Sequence, residues 1–231
     1  MSIAENIAQV RTNIAQACAQ AGRSPEEITL VGASKMTDAA ACREAIAAGI
    51  DALGENRVQE MTAKLADNAY DGAPLHFIGH LQRNKVKQVV GKVALIQSVG
   101  SMELLEEIEK VAAREQLVQE ILLEVNIGRE EAKSGFDPDA VTAAAEAALS
   151  LPHVRVRGLM TIPPADADRD ANMRYFQEVQ ALYVDINTKL FHNKLKCLSM
   201  GMSGDYMDAI RCGATMVRVG TAIFGARNYN I

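Results

Sequence analysis

Residues 28–36 read ITLVGASKM, a short apolar run that leads into a lysine, Lys35. A run of this length that contains Gly and Ala is typical of a strand buried on both faces, as in a parallel sheet. An open doubly wound sheet usually places a glycine-rich phosphate loop after its first strand. Here the run is followed by SKMTDA, without a GxGxxG pattern. The stretch therefore favours a closed parallel sheet and leaves the lysine to be explained.

The same type of apolar run recurs along the chain, and segments with helical periodicity lie between the runs. The runs are ITLVGAS (28–34), DALGE (51–55), LHFIGH (75–80), ALIQSV (94–99), ILLEVNI (121–127), VRVRGLMTI (154–162), LKCLSMGMS (195–203) and MVRVGTAI (216–223). The helical segments are 37–48, 57–68, 81–91, 101–114, 138–149, 170–190 and 206–212. Strands and helices that alternate in this number predict an α/β fold, a (β/α)8 TIM barrel. The alternative is an open doubly wound sheet of about five to seven strands.

Apolar residues near the N-terminus recur at spacings of three and four, which predicts an extra helix before the barrel. This stripe consists of Ile3, Ile7, Val10, Ile14 and Cys18. Ser101 and Asp137 are predicted to cap later helices. No linker interrupts the pattern, so residues 1–231 are predicted to form a single domain.

The composition is that of a folded globular protein, with 48% hydrophobic and 23% charged residues. These values exclude a disordered or fibrous chain. The net charge of -5 argues against a surface that neutralises nucleic-acid phosphates. The basic run Arg83, Lys85, Lys87 and Lys92 is interpreted as a solvated helix face.

The cysteines and the N-terminus narrow the class of protein further. The four cysteines lack CxxC spacing, so we predict no metal site and no disulfide framework. No stretch approaches the about 18 apolar residues of a membrane span, and the N-terminus is unlike a signal peptide. We therefore expect a cytoplasmic protein with no membrane or nucleic-acid partner.

In a barrel of this type, functional side chains gather where the carboxyl ends of the strands meet. The predicted strand ends are rich in polar and small residues, namely Ser34-Lys35, Glu55-Asn56-Arg57, His80, Asn126, Met160-Thr161, 200–204 and 218–221. The loops after the last two strands are the usual phosphate site of the fold. Ser203-Gly204 and Gly220-Thr221 each offer a hydroxyl and free backbone N–H groups there. Either pair alone would also fit a helix cap or a turn, but together they predict a phosphate site.

The predicted phosphate site suggests a role for Lys35 as a nucleophilic amine. A lysine at the end of a buried strand is partly desolvated, which favours the neutral amine that attacks a carbonyl to form a Schiff base. A ligand with both an aldehyde and a phosphate is thus indicated, and pyridoxal 5′-phosphate (PLP) is such a ligand. PLP sites also place a protein group against the pyridine nitrogen. Arg218, two residues before Gly220 and therefore on the same side of its strand, is the candidate. An ion pair of Arg218 with Glu124 or Glu55 is the alternative.

Eight motifs support this interpretation by resemblance. They are LVGASK, GENRVQE, HFIGHLQRNK, SVGS, VNIGREEAKSG, VRGLMTIPP, LSMGMSGDYMDAI and ATMVRVGTAIFGAR. In this order they resemble the pyridoxal phosphate homeostasis protein family, from Leu30 to Arg227. The resemblance implies a single-domain barrel similar to the N-terminal domain of alanine racemase, with PLP held as a Schiff base.

The resemblance also implies roles for individual residues. Lys35 would form the Schiff base, and Arg218 would face the pyridine nitrogen. The other implied cofactor-binding positions are Asn56, His80, Met200, Ser203, Gly204, Gly220 and Thr221. Gly204 stands where many relatives carry Asp, which leaves the hydroxyl of Ser203 in place.

Two functions fit this site. The first is a PLP-binding protein for intracellular PLP (vitamin B6) homeostasis without catalysis of its own, with PLP-dependent apo-enzymes as conceivable acceptors and a monomeric state. The second is a PLP-dependent racemase or decarboxylase of the barrel type. Racemisation needs proton donors on opposite faces of the cofactor, and the alanine racemase resemblance implies a tyrosine from a separate C-terminal domain for one of them. Because the sequence ends at Ile231 directly after the last βα unit, we expect that domain to be absent and no residue to be catalytic.

Two remaining features bear on catalysis. Of the five tyrosines, Tyr70, Tyr175, Tyr183, Tyr206 and Tyr229, only Tyr206 lies near a predicted strand end. We interpret Tyr206 as a tyrosine that packs a helix or faces solvent. A Schiff-base aldolase acting on a phosphorylated sugar is a third alternative, disfavoured because such enzymes usually carry the lysine on a later strand beside acidic residues.

Overall fold

The computed structural model describes residues 1–225. Its first element is helix α1 (Ile3–Gln20). Ser2 caps this helix, since its hydroxyl accepts from the backbone N–H of Glu5 at 3.2 Å and its own N–H donates to the Glu5 carboxylate at 2.8 Å. The buried side of α1 contains most of the predicted apolar stripe. The predicted extra helix is therefore confirmed.

Eight parallel strands form a closed barrel in sequence order. They are β1 (Thr29–Ala33), β2 (Ala52–Glu55), β3 (Leu75–Phe77), β4 (Leu95–Val99), β5 (Gln119–Val125), β6 (Val154–Thr161), β7 (Cys197–Ser199) and β8 (Met216–Val219). The remaining helices are α2 (Ala39–Ala47), α3 (Val58–Ala66), α4 (Met102–Arg114), α5 (Val141–Ala148), α6 (Arg169–Lys189), α7 (Tyr206–Arg211) and α8 (Thr221–Phe224). Two 3₁₀ helices span Pro25–Glu27 and Arg83–Gln88. The predicted (β/α)8 TIM barrel is confirmed.

The barrel closes where β1 pairs with β8. Val31 lies opposite Arg218, and Gly32 lies opposite Val219. Because both strands run in the same direction, their carboxyl ends lie side by side. The first and last predicted site loops are therefore neighbours in space.

Alternation along the strands divides the apolar residues into two cores. The larger core lies between the strands and the helices. The smaller core fills the barrel and contains Val31, Ala52, Leu95, Leu122, Met160 and Met216. On several strands the next inward position, two residues further along, is polar. Gln97 follows Leu95, and Arg218 follows Met216. The barrel is thus closed by apolar side chains below and lined by polar ones towards its mouth.

Three predicted elements differ from the structure. Residues 81–91 form a 3₁₀ helix over Arg83–Gln88 instead of an α-helix; its buried Val86 and Val89 have the spacing of three that suits this helix type. The predicted strand 216–223 ends at Val219, because Gly220 leaves the extended conformation and begins α8. Asp137 does not cap α5, since its carboxylate accepts from Asp139 N in the preceding turn.

The predicted cap at Ser101 is present. Ser101 caps α4 by accepting from the backbone N–H of Leu104 at 3.2 Å. The four cysteines are free thiols, three of them buried. Within residues 1–225, no helix combines the length and the apolar character that crossing a membrane requires.

Candidate functional site

Lys35 lies two residues beyond the end of β1, at the mouth of the barrel. Its side chain is partly buried. The loop after β8 lies against the same strand, since a Cβ on Gly220 would be 3.5 Å from the Cβ of Ala33. The structure therefore places the strand end that carries Lys35 beside the predicted phosphate loop.

A buried set of polar residues lies behind Lys35, between the barrel and the helices. We call it the strand-end cluster; its members are Ser34, Glu55, Glu60, Lys64 and Tyr70. One carboxylate oxygen of Glu55 accepts three hydrogen bonds, from Ser34 Oγ at 2.6 Å, Lys64 Nζ at 2.8 Å and Tyr70 Oη at 3.0 Å. Lys64 Nζ also donates to Ser34 O at 2.7 Å and to Glu60 at 2.7 Å. The cluster thus ties β1, β2 and α3 together.

The ionisation of the cluster follows from these contacts. An ammonium group has three N–H donors, and those of Lys64 meet three oxygens. Burial alone would lower the pKa of Lys64, but Glu55 and Glu60 raise it above its ordinary value. Burial also raises the pKa of Tyr70, further supported by the negative charge of Glu55. Burial raises the pKa of Glu55, while Lys64 and the hydrogen bond from Ser34 oppose this rise. The three hydrogen bonds donated to one Glu55 oxygen favour the carboxylate, with Lys64 as the cation and Tyr70 as a neutral donor.

The two predicted phosphate loops meet at Ser203. Its hydroxyl oxygen accepts from the backbone N–H of Gly220 at 3.1 Å and from that of Ala222 at 3.4 Å. Ser203 and Thr221 also border a cavity of about 580 Å³, within the about 300–1,000 Å³ range of small-molecule sites. The structure therefore brings Ser203, Gly220 and Thr221 together, with backbone N–H groups that converge on one point.

Arg218 is buried inside the barrel, with 3% of its surface exposed. Its guanidinium donates to Ser199 Oγ at 2.5 Å and to Thr161 O at 2.8 Å. Burial lowers the pKa of Arg218 to about 10, which leaves it protonated at neutral pH. In the part of the chain that the structure describes, no carboxylate lies within ion-pair distance of it, so the alternative pairing with Glu124 or Glu55 is not formed.

A chain of hydrogen bonds continues from Arg218 across the barrel. Ser199 Oγ donates to Gln97 Oε1 at 2.6 Å, and the Gln97 amide nitrogen lies 3.0 Å from His76 Nδ1. Because Ser199 uses its proton on Gln97, the amide N–H₂ of Gln97 donates to His76, which is the acceptor at the end of the series. We call Arg218, Ser199, Gln97 and His76 the interior network. It requires a neutral imidazole, and burial lowers the pKa of His76 to about 4.

This low pKa predicts a specific dependence of stability on pH. An unfolded histidine titrates near about 6.5, so between about pH 6.5 and about pH 4 the unfolded chain binds a proton that folded His76 does not. Stability is therefore lost as the pH falls through this window, by up to about 3 kcal/mol from His76. Urea unfolding of the wild type and of His76→Gln across the window should show a shallower pH dependence in the variant. The exposed His192, changed to Asn, is the control; an equal slope in His76→Gln would refute the prediction.

Asn56 and His80 border a second cavity at the mouth, of about 170 Å³. The side-chain oxygen of Asn56 is buried and has no hydrogen-bond partner among residues 1–225. The loops after β2 and β3 touch here, since a Cβ on Gly79 would lie 2.3 Å from Asn56 O. A buried acceptor without a partner is costly unless a ligand satisfies it, so Asn56 suits a ligand hydroxyl.

Known proteins match the chain along nearly its full length. The family model for the alanine racemase N-terminal domain matches residues 6–228. A protein of Aquifex aeolicus named pyridoxal phosphate homeostasis protein is 42% identical over 229 residues, which are 99% of this chain and 100% of that protein. The chain belongs to the pyridoxal phosphate homeostasis protein family.

A second relative and a solved structure match the chain over a similar length. The one from Pseudomonas aeruginosa is 41% identical over 228 residues, 99% of this chain and 97% of its own. The solved structure of PipY of Synechococcus elongatus PCC7942 with PLP bound has a TM-score of 0.85 and 33% identity, and the match covers 97% of this chain and 100% of PipY. The family resemblance seen in the motifs is confirmed.

Two predicted cofactor-binding positions of this family member, Met200 and Gly204, differ from the others in their surroundings, whereas Tyr206 lies as predicted. Met200 is fully buried in the large core between strands and helices. Gly204 is exposed, with open space where a Cβ would stand. Tyr206 packs against α1, where its hydroxyl accepts from Asn13 at 2.9 Å, as expected for a helix-packing tyrosine. Tyr229, like the end of the motif match at Arg227, lies outside the described residues.

Sequence reasoning missed most of the strand-end cluster and the interior network of this pyridoxal phosphate homeostasis family member. Glu60 and Lys64 stand four residues apart on α3, and Lys64 lies on the buried side with Val58 and Met61. A lysine on the apolar face of a helix is the signal that would have indicated a buried partner. Gln97 inside the apolar run ALIQSV is a comparable signal for the interior network.

Proposed function

We propose that this protein binds PLP as a Schiff base on Lys35 and serves intracellular PLP (vitamin B6) homeostasis. The observation that supports the proposal is that three suitable functional groups lie at the same end of the barrel. These are the Lys35 amine, the loops joined by Ser203, and the buried cation of Arg218. The names of the relatives and the PLP-bound structure of PipY support the same ligand.

The donor set fits the functional groups of PLP. A phosphate accepts hydrogen bonds from hydroxyl and backbone N–H groups, which Ser203, Gly220 and Ala222 supply. Arg218 has five N–H donors, and its two protein contacts leave others for a ring nitrogen. When bound, PLP supplies an electron-withdrawing ring. A guanidinium beside the ring nitrogen keeps that nitrogen unprotonated and weakens this property.

We also propose that the protein does not catalyse amino-acid chemistry. The cation of Arg218 weakens the cofactor as an electron sink, and Tyr206 is committed to packing against α1. A barrel-type racemase or decarboxylase is the alternative. Turnover of L-alanine on the order of 1 s⁻¹ by the PLP-loaded protein would favour that alternative, whereas its absence is the expected result.

The test of the ligand is reconstitution of the purified protein with PLP. We expect one PLP per chain, an absorption band of a protonated imine, and attachment to Lys35 after borohydride reduction and peptide mass spectrometry. Attachment at another lysine would refute the assignment of Lys35. A protein that cannot be loaded with PLP would refute the function.

Ser203 is expected to contribute to phosphate recognition. Ser203→Ala removes a hydroxyl next to a charged group, a change worth about 1.5 kcal/mol or more, so PLP affinity should fall by about tenfold. Pyridoxal, which lacks the phosphate, should bind the wild type and the variant equally. Fluorescence titration with both ligands measures the two effects. An equal loss for pyridoxal would show that Ser203 acts on Lys35 or on loop folding instead.

The proposal extends to the oligomeric state, the location and the partners of the protein. We propose that the chain acts as one PLP-binding domain, as a monomer in the cytoplasm, and that PLP-dependent apo-enzymes are its acceptors. The acidic net charge of -5 supports the absence of a nucleic-acid partner. Sedimentation of the PLP-loaded protein tests the monomer, and transfer of PLP to an apo-enzyme under dilution tests delivery.

A further inference from the structure

We infer that Glu55, Glu60 and Lys64 are positioning residues for Lys35, because they hold the two peptide groups on either side of it. The inference rests on the proposed role of Lys35 in PLP binding. Its basis is the placement of the strand-end cluster directly behind the segment 34–36.

Each of the two peptide groups that flank Lys35 forms a hydrogen bond with a residue of the strand-end cluster. The carbonyl of Ser34, in the bond that precedes Lys35, accepts from Lys64 Nζ at 2.7 Å. The N–H of Met36, in the bond that follows Lys35, donates to Glu60 at 2.5 Å. With both neighbouring peptide planes fixed, the backbone of Lys35 has little freedom left, and the starting direction of its side chain is set.

The segment needs such support because its backbone is unusual. Met36 has a φ of +59°, a left-handed conformation that costs energy for a residue other than glycine. Met36 is also an exposed apolar side chain, so packing does not hold it in place. The bond to Glu60 therefore stabilises the turn directly after Lys35, together with the bonds from Thr37 N–H at 3.2 Å and Thr37 Oγ1 at 2.6 Å to the Ser34 carbonyl.

Glu55 connects the strand-end cluster to the barrel. Its side chain is fully buried, and its acceptor oxygen binds Lys64, Ser34 and Tyr70. Lys64 is thus fixed by β2 while it holds β1. Ser34 Oγ lies in this cluster, bonded to Glu55 at 2.6 Å, and Lys35 follows it directly in the turn beyond β1.

The first test compares two substitutions of Glu60, which is only partly buried. Glu60→Ala removes the acceptor of Met36 N–H, and a loosened amine should lower PLP affinity by about tenfold. Glu60→Gln keeps an acceptor oxygen and should recover most of this loss. Equal affinities of Glu60→Ala and the wild type would overturn the inference.

The second test removes the buried charges as a pair, Glu55→Gln with Lys64→Met, because an unpaired buried charge alone can unfold a protein. We expect PLP affinity to fall between about tenfold and about 100-fold. Gln119→Met is the matched control: Gln119 is 2% exposed and bonds Gly91 and Val93 at the other end of the barrel. It should lose stability without losing PLP affinity. Equal losses of PLP affinity in the double variant and in Gln119→Met would show that the cluster contributes only to stability, which would overturn the inference.

A third measurement needs no PLP, so it separates this inference from the proposed function. Trace acetylation with acetic anhydride, read by mass spectrometry, reports the reactivity of Lys35 relative to Lys189, which pairs with Asp185 on α6. In PLP-free protein, labelling of Lys35 should rise by about threefold or more in Glu60→Ala and in the double variant. Unchanged labelling in both would overturn the inference even if PLP binds, whereas a wild type that fails to bind PLP would defeat only the function.

Discussion

Lys35→Ala is expected to remove the imine absorption band and to lower PLP affinity by about 100-fold or more. The substitution deletes the amine that we propose forms the covalent bond, while the predicted phosphate loops and Arg218 remain. The remaining non-covalent binding should be weak and colour-free at the imine wavelength. Absorbance spectra and equilibrium dialysis with PLP measure the two effects.

The control for Lys35→Ala is Lys85→Ala, which removes a lysine that borders the cavity of Asn56 and His80 in the same mouth. This variant should keep the absorption band. Loss of the band in Lys85→Ala with retention in Lys35→Ala would reassign the Schiff base. Urea unfolding of both variants verifies that any lost binding does not come from unfolding.

Gly158→Ala is expected to destabilise the protein by about 3 kcal/mol or more. Gly158 lies in β6 opposite Cys197 of β7. An added Cβ would stand 1.6 Å from the carbonyl oxygen of Cys197, so the two strands would have to separate. For a chain of this size the midpoint of thermal unfolding should fall by about 10 °C, which calorimetry measures.

Gly204→Ala is the matched control for this clash. A Cβ on Gly204 meets no atom within 4 Å, and the stability should change by less than about 0.5 kcal/mol. Similar losses in the two variants would show that the cost comes from glycine flexibility and not from the close approach of β6 and β7.

The sequence allowed the barrel to be predicted because each strand is a short apolar run and each helix has its own periodicity. It also placed Lys35, Ser203 and Arg218 at the mouth, since strand ends converge in this fold. The partners of these residues were not predictable in the same way. The pairing of Glu55 with Lys64 instead of Arg218 depends on which side of β2 faces the helices, a property that a short run of four residues does not reveal.

Boundaries were less predictable than elements, for a related reason. The run MVRVGTAI reads as one strand, but the N–H groups of Gly220 and Ala222 bond to Ser203 from the preceding loop. A contact between distant segments therefore decides where β8 ends. The 3₁₀ helix Arg83–Gln88 is a similar case, in which local packing of valines outweighs the α-helical pattern of the surrounding sequence.

The bonds of Ser203 have a consequence for how fast a ligand can leave. Its oxygen already accepts from the N–H groups of Gly220 and Ala222, which in the proposed PLP site bind a phosphate oxygen. In the proposed site, an incoming phosphate exchanges these bonds for its own while the Ser203 hydroxyl turns to donate to it, and Ser203 accepts from the two N–H groups again when the ligand departs. Such an exchange makes the gain on binding small and lowers the barrier to escape. A site with this property favours release of its ligand over permanent retention, which the proposed transfer of PLP to apo-enzymes requires.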